Sequence, residues 1–305
     1  MVRPRAFIAL GVCAGVWFAA AATPLGQRPA ARERSLYVSV VDQNGAPVTG
    51  LAPPDFLVKE DNVTREVLRV TPAVDPMQIA LLVDTSEAVR DSVAHIRQAL
   101  PGFVSEMTKP TITGGKNEIA VVGIGERPTI LSEYSTDPVQ IRKGIDRIWA
   151  APASGMYLLD AIVEVSKGLR KREASRPVMI AIATSGREFS NFHHDQVIDP
   201  LKNVGAAFYA LVIGPPDTGL SLESRERAIV LDDGPRLTGG TYEQLLTSMA
   251  LTPKLKQLAD QLTNQYKVTY GRPESLIPPE RTTVAAVKPG LVARGTPVKE
   301  DAGRP

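Results

Sequence analysis

Apolar positions recur first with a period of two and then, beyond residue 77, in unbroken blocks separated by helical spacing. Residues 36–41 (Leu-Tyr-Val-Ser-Val-Val) alternate and are rich in β-formers, and Asp42-Gln43-Asn44-Gly45 follows as a turn. A short extended piece at 47–51 comes next, and residues 56–60 and 66–70 flank a second turn pair, Asp61-Asn62. This pattern predicts a small β unit that ends in a proline-bracketed linker over 72–76.

Residues 78–83 (Gln-Ile-Ala-Leu-Leu-Val) form a continuous apolar run ending in Asp84-Thr85-Ser86. A run this short reads as a buried parallel strand. Ser86 is placed to cap a helix in which Val89, Val93, Ile96, Leu100, Phe103 and Val104 recur at helical spacing, with Pro101 expected to bend or divide it. Further strands are predicted at 119–124, 129–131, 178–183 and 207–213, and helices at 138–149, 157–172, 196–204 and 253–264. Strands alternating with helices predict an α/β fold with a doubly wound, mostly parallel sheet. Past Gly214 the pattern loosens, and residues 214–227, including the charged stretch 223–227, read as a long insertion: a partner-binding loop or a solvated excursion. The strand at 266–270 is a candidate to pair with 283–287 and to join the N-terminal unit in a small β module built from both ends of the chain. The tail, 294–305, is rich in Pro, Gly and charge and is expected to be disordered.

Composition adds a location. Arg3 and Arg5 precede an uncharged apolar run over 6–22 that ends in Ala20-Ala21-Ala22, the pattern of a secretory signal, with an uncleaved anchor as the alternative. Bulky Val12 before Cys13 and the continuing apolar run argue against a lipoprotein. Cys13 is the one cysteine, so removal of residues 1–22 leaves no thiol and excludes disulfides, cysteine nucleophiles and cysteine zinc sites. Losing Arg3 and Arg5 from 35 basic and 33 acidic residues leaves the two signs equal, and no basic field for nucleic acid or anionic lipid is expected. The expected location is extracytoplasmic, periplasmic or secreted, with no membrane contact unless the signal stays as an anchor. The chain then divides into a signal (1–22), a linker (23–35), an N-terminal β segment (36–72), an α/β domain (77–250), a C-terminal helix and β segment (251–293) and the tail (294–305).

Ligands of doubly wound sheets bind beyond the carboxyl ends of the strands. Asp84-Thr85-Ser86, Ser185-Gly186 and Gly214-Pro215-Pro216 stand there. No Gly-x-Gly-x-x-Gly follows the first strand, Gly114-Gly115-Lys116 lacks the rest of a phosphate-binding loop, and no Gly-x-Ser-x-Gly elbow exists. His193-His194-Asp195 precedes a helix; it reads as a solvated loop with Asp195 as cap, or alternatively as metal ligands. His95 reads as structural, Arg170-Lys171-Arg172 as cations complementing a helix end, and Asn62-Val63-Thr64 as a glycosylation sequon meaningful only in a eukaryotic host.

Val83-Asp84-Thr85-Ser86, Leu159-Asp160-Ala161-Ile162 and Ile182-Ala183-Thr184-Ser185-Gly186 resemble the von Willebrand factor A domain. With Val41-Asp42-Gln43-Asn44-Gly45, Val48-Thr49-Gly50-Leu51 and Asp55-Phe56 before it and Gln265-Tyr266-Lys267-Val268-Thr269-Tyr270 after it, the chain is similar over 36–293 to the secreted bacterial "VWFA-related" family. The resemblance implies a metal ion-dependent adhesion site in which Asp-x-Ser-x-Ser, a Thr from a second loop and an Asp from a Thr-Asp-Gly turn hold Mg²⁺ or a similar cation. Asp84 and Ser86 match that set, whereas Ala88, Met156 and Ser185 stand at the other positions. One carboxylate with hydroxyls is a poor Mg²⁺ set. Ser154 could slide into the threonine role, and Glu87, Asp160 or Glu188 could restore charge.

The expected function is non-enzymatic binding or scaffolding of a protein partner without a cofactor, through the loops carrying Asp84, Ser86, Ser154 and Ser185, with Asp84 and Ser86 as vestigial metal ligands bonded to nearby backbone N–H groups. Cation-dependent adhesion with Mg²⁺ or Ca²⁺ is the alternative, and a hydrolase using Ser185 is the second alternative.

Overall fold

The computed structural model describes residues 31–216, 219, 221–273 and 277–299; the expected signal with Cys13 and the end of the tail lie outside the described residues. Four strands come first: β1 (Ala31–Val41), β2 (Phe56–Glu60), β3 (Val63–Arg65) and β4 (Val67–Pro72). β1 begins at Ala31, inside the stretch expected as a linker, because its outer residues pair with a C-terminal strand, Ala31 opposite Pro273. The turn Asp61-Asn62, with φ of 46° and 68°, joins β2 to β3 rather than to the 66–70 strand.

The α/β part runs β5 (Gln78–Val83), α1 (Val93–Met107), β6 (Glu118–Gly123), β7 (Thr129–Ser135), α2 (Pro138–Ile145), α3 (Leu158–Lys171), β8 (Pro177–Thr184), α4 (His194–Val204), β9 (Ala207–Ile213), α5 (Leu222–Thr238), β10 (Tyr242–Leu245) and α6 (Leu251–Thr263). Its sheet has the order β10-β9-β8-β5-β6-β7, parallel except for the edge strand β7. Both faces are covered, and the pleat decides which residue serves which face. Ile79, Leu81 and Val83 of β5, with Ile180, Ile182, Tyr209 and Leu211, pack against α1, α2 and α6. Ala80 and Leu82, with Met179, Ala181, Phe208 and Ala210, pack against α3, α4 and α5. Each large aliphatic side chain buried this way stabilises by roughly 1.5–3 kcal/mol. Among the described residues no helix is long and apolar enough to cross a membrane.

Two expectations fail here. α1 is not divided at Pro101, and the charged part of the predicted insertion, 223–227, is the start of α5.

The chain closes with β11 (Tyr266–Pro273), β12 (Thr282–Ala286) and β13 (Val292–Pro297), so the tail expected to be disordered contributes a strand as far as Pro297. β11 lies between β1 and β4, and β12 pairs with β2, not with β11. Two antiparallel sheets, β13-β1-β11-β4 and β12-β2-β3, form the β module, and Leu36, Val38, Val40, Phe56, Val58, Tyr266 and Val268 are its core.

The module sits at the amino ends of the parallel strands. Arg176, immediately before β8 and buried, donates to Ala73 O at 3.2 Å, Asp75 O at 2.9 Å, Leu262 O at 3.1 Å and Gln265 Oε1 at 2.6 Å. The opposite, carboxyl edge of the sheet is left to loops.

Candidate functional site

Asp84 follows β5 and is fully buried. Its Oδ1 accepts a hydrogen bond from Ser86 N–H at 2.8 Å, and its Oδ2 accepts from Thr184 N–H at 3.1 Å and from the Thr184 hydroxyl at 2.5 Å. The carboxylate therefore braces the ends of two neighbouring strands with three charge-assisted hydrogen bonds. Ser86 opens a short 3₁₀ turn over Glu87–Ser92 but makes no side-chain capping bond, contrary to the sequence expectation; its Oγ is buried without a partner. Gly186 closes over this pair. A Cβ there would stand 2.7 Å from Ala88 Cβ and 3.5 Å from Ser86 Oγ, so a side chain would force the two loops apart.

Three loops are joined by backbone bonds above this brace. Ala151 N–H donates to Thr85 O at 3.0 Å, Glu87 N–H donates to Ser154 O at 3.3 Å, and Ala153 N–H donates to the Glu87 carboxylate at 2.8 Å. On the other side Met156 N–H donates to Arg187 O at 3.0 Å and Phe189 N–H to Met156 O at 2.8 Å. The backbones of Asp84, Ser86, Ser154 and Ser185 thus share one edge, but their side chains serve different neighbours: Ser154 Oγ donates to Ala151 O at 2.8 Å, and Ser185 Oγ donates to Pro215 O.

No family model matches this chain, and no curated protein does. Solved structures do. A von Willebrand factor type A protein from Catenulispora acidiphila superposes with a TM-score of 0.50 at 10% identity, over 90% of this chain and 67% of that one. The α/β part has a von Willebrand factor type A fold. Two more bacterial structures are similar: BatB from Bacteroides thetaiotaomicron, TM-score 0.45, 10% identity, 61% of this chain and 98% of that one; and the vWF domain of the type V pili tip protein Mfa5 from Porphyromonas gingivalis, TM-score 0.45, 11% identity, 61% of this chain and 95% of that one.

The type A fold implies a cation at the carboxyl edge, and the residues present do not fit one. Asp84 is committed to three protein donors, Ala88 brings a methyl group, Met156 is buried with a thioether, and the Ser185 hydroxyl is turned to Pro215. Mg²⁺ and Ca²⁺ require several converging oxygens with compensating charge. Nor do the three acids named as substitutes supply them in a cluster. Glu87 pairs with Arg90 at 2.7 Å, and Asp160 sits in the first turn of α3. Glu188 accepts from Leu158 N–H at 3.1 Å and Ser190 N–H at 3.2 Å, capping α3 from another loop. Burial pushes the Glu188 carboxyl up to about 7, and its second oxygen is buried without a partner.

Sequence reasoning missed an exposed aromatic on this edge. The Phe189 ring lies on Gly155, where a Cβ would stand 1.9 Å from its edge, and is 47% exposed. It stacks on Tyr157 at 6.1 Å between centroids, and the Arg187 guanidinium stands 5.5 Å from its centroid. No periodicity marks these residues. The one sequence signal is an aromatic beside an arginine in the loop after a strand known to end at the ligand edge.

The other candidates fall elsewhere. His95 Nδ1 pairs with Ser248 Oγ at 3.0 Å. Arg172 lies 4.4 Å over the Tyr134 ring. The residue opening α4 is His193, whose N–H donates to Gln196 Oε1 at 3.0 Å, so Asp195 is not the cap. His193 and His194 both face Glu226 of α5.

Proposed function

We propose that this chain is a non-enzymatic, extracytoplasmic binding protein that engages a protein partner through the carboxyl-edge loops without a metal ion. The observation that carries the reading is the exposed pair Arg187 and Phe189 stacked on half-buried Tyr157, standing on loops that Asp84 braces from within. Aromatic and arginine side chains held in place by a rigid base are the residue types that dominate binding energy at protein interfaces. The Asp84 bonds supply that base, which is the work a cation would otherwise do. Ser185 has no histidine partner: His95 bonds to Ser248, and His193 and His194 face Glu226. That weighs against the hydrolase reading. Cation-dependent adhesion draws on three buried oxygens without a partner, Ser86 Oγ, Asp160 Oδ2 and Glu188 Oε2.

The test is cross-linking capture of partners from the native extracytoplasmic fraction in EDTA, by the unaltered protein and by Phe189→Ala. Partners held in EDTA and lost with Phe189→Ala support the proposal. Partners that require a divalent cation, or that are indifferent to Phe189→Ala and Arg187→Ala together, overturn it.

A further inference from the structure

We propose that His193, His194 and Asp195 form a surface site for a divalent transition ion of the zinc class, oriented from α5 by Glu226 and open to solvent at one coordination position. Among the described residues these three are the one histidine-containing group whose potential ligand atoms all lie within 4.8 Å of one another. The decisive geometry concerns His194. Glu226, a nearly buried carboxylate, accepts the His194 backbone N–H at 2.7 Å and faces His194 Nδ1 at the same distance. An ionised carboxylate only accepts, so Nδ1 carries the proton and the lone pair of the neutral ring is at Nε2.

Nε2 stands 3.3 Å from Asp195 Oδ1. Two acceptors face each other across a gap that a cation fits. Zinc binds imidazole nitrogen and carboxylate oxygen at about 2.0–2.1 Å, and tetrahedral angles put two such ligand atoms about 3.3 Å apart. The His193 ring stands 5.0 Å from the His194 ring, within reach as the third ligand. Two imidazoles and one carboxylate suit zinc, copper or nickel and not magnesium or calcium. A carboxylate behind a ligating histidine is the usual outer-shell support of such ions, fixing the tautomer and the ring plane. The positive end of the α4 dipole opposes a cation here, and the charges of Asp195 and Glu226 offset it. His193 and Asp195 side chains are 61% and 76% exposed, which leaves the fourth position to water or to a side chain of a bound protein. The group stands at the start of α4, at the far end of the loop that follows β8, and uses none of the residues of the Asp84 brace, so neither proposal depends on the other.

The test is titration of the purified, EDTA-stripped protein with Zn²⁺ against a chromogenic indicator in excess Mg²⁺, repeated with Co²⁺ to read its ligand-field absorption. One zinc per chain is expected, weakened about a hundredfold or more by His194→Ala and about tenfold by Glu226→Gln. Because Asp195 is exposed, Asp195→Asn leaves the fold intact and is expected to weaken binding and change the Co²⁺ spectrum. In the parent protein Zn²⁺ is expected to move the His194 Nε2 ¹⁵N signal while Nδ1 keeps its proton toward Glu226, a change that a merely structural hydrogen bond would not produce. Less than one zinc per chain, or an affinity unchanged in the folded His193→Ala/His194→Ala protein, overturns the proposal, with a proton on His194 then bridging the two carboxylates.

Discussion

The guanidinium of Arg176 lies 4.8 Å over the ring of Tyr37, so the strand at the centre of the α/β sheet is tied directly to the first strand of the β module. The Tyr37 hydroxyl donates to Asp75 at 2.8 Å, and Lys267 meets the same carboxylate at 3.1 Å. A charge this buried is tolerable because four acceptors receive it.

Arg176→Met removes the donor while keeping much of the volume and strands the carbonyls of Ala73, Asp75 and Leu262. The expected loss is about 3 kcal/mol in urea unfolding, since orphaned buried acceptors each cost about 1–3 kcal/mol. A variant as stable as the parent would show that the two parts are not held by this cluster.

Glu188 makes stability depend on pH in a definite direction. Its folded carboxyl titrates near 7 against an ordinary 4.5, raised by burial, so between those values the folded state holds the proton that the unfolded state has released. Stability from this group is therefore full below about 4.5 and falls as pH rises to about 7, by about 3 kcal/mol in total. Glu188→Gln keeps an acceptor for Leu158 and Ser190 and is expected to remain stable across that window, so the difference between the two melting curves should grow with pH. A constant difference contradicts the assignment.

Phe189→Ala separates binding from folding. With 47% of the residue already exposed, the stability change is expected to stay within about 1 kcal/mol. Loss of partner capture at unchanged melting temperature is the expected outcome.

Asp84→Ala is expected to cost about 3 kcal/mol or more, because Thr184 and Ser86 lose a charged acceptor in a fully buried place. The cost should be the same in EDTA and in Mg²⁺. A cost that appears only with cation present would mean the carboxylate serves the ion instead of the strands.

Much of this architecture is legible in the residues. The runs at 78–83 and 207–213 are strands with those bounds, since fully buried parallel strands have no polar interruptions to blur them. α5 is not legible, because its inner face buries Glu226 and Arg227 beside Val230 and Leu231 and the helix carries Gly234 and Pro235. Strand partners are equally hidden. The pairing of β12 with β2 and of β3 across Asp61-Asn62 depends on which sheet each strand enters, and alternation alone says only that one face is buried. At the site, Asp84 and Ser86 announce themselves by motif, whereas the hydrogen bonds from Thr184 to Asp84 and the approach of Glu226 to His194 are made by elements far away in sequence.

Thermal unfolding of the protein in chelator and then in millimolar Mg²⁺, Ca²⁺ or Mn²⁺ tests the central claim most directly, because an ion that binds only the folded state must raise its apparent stability. An unchanged melting temperature with each of these three cations is the expected result. A rise that disappears in Asp84→Ala would contradict the account and return the carboxyl edge to cation-dependent adhesion.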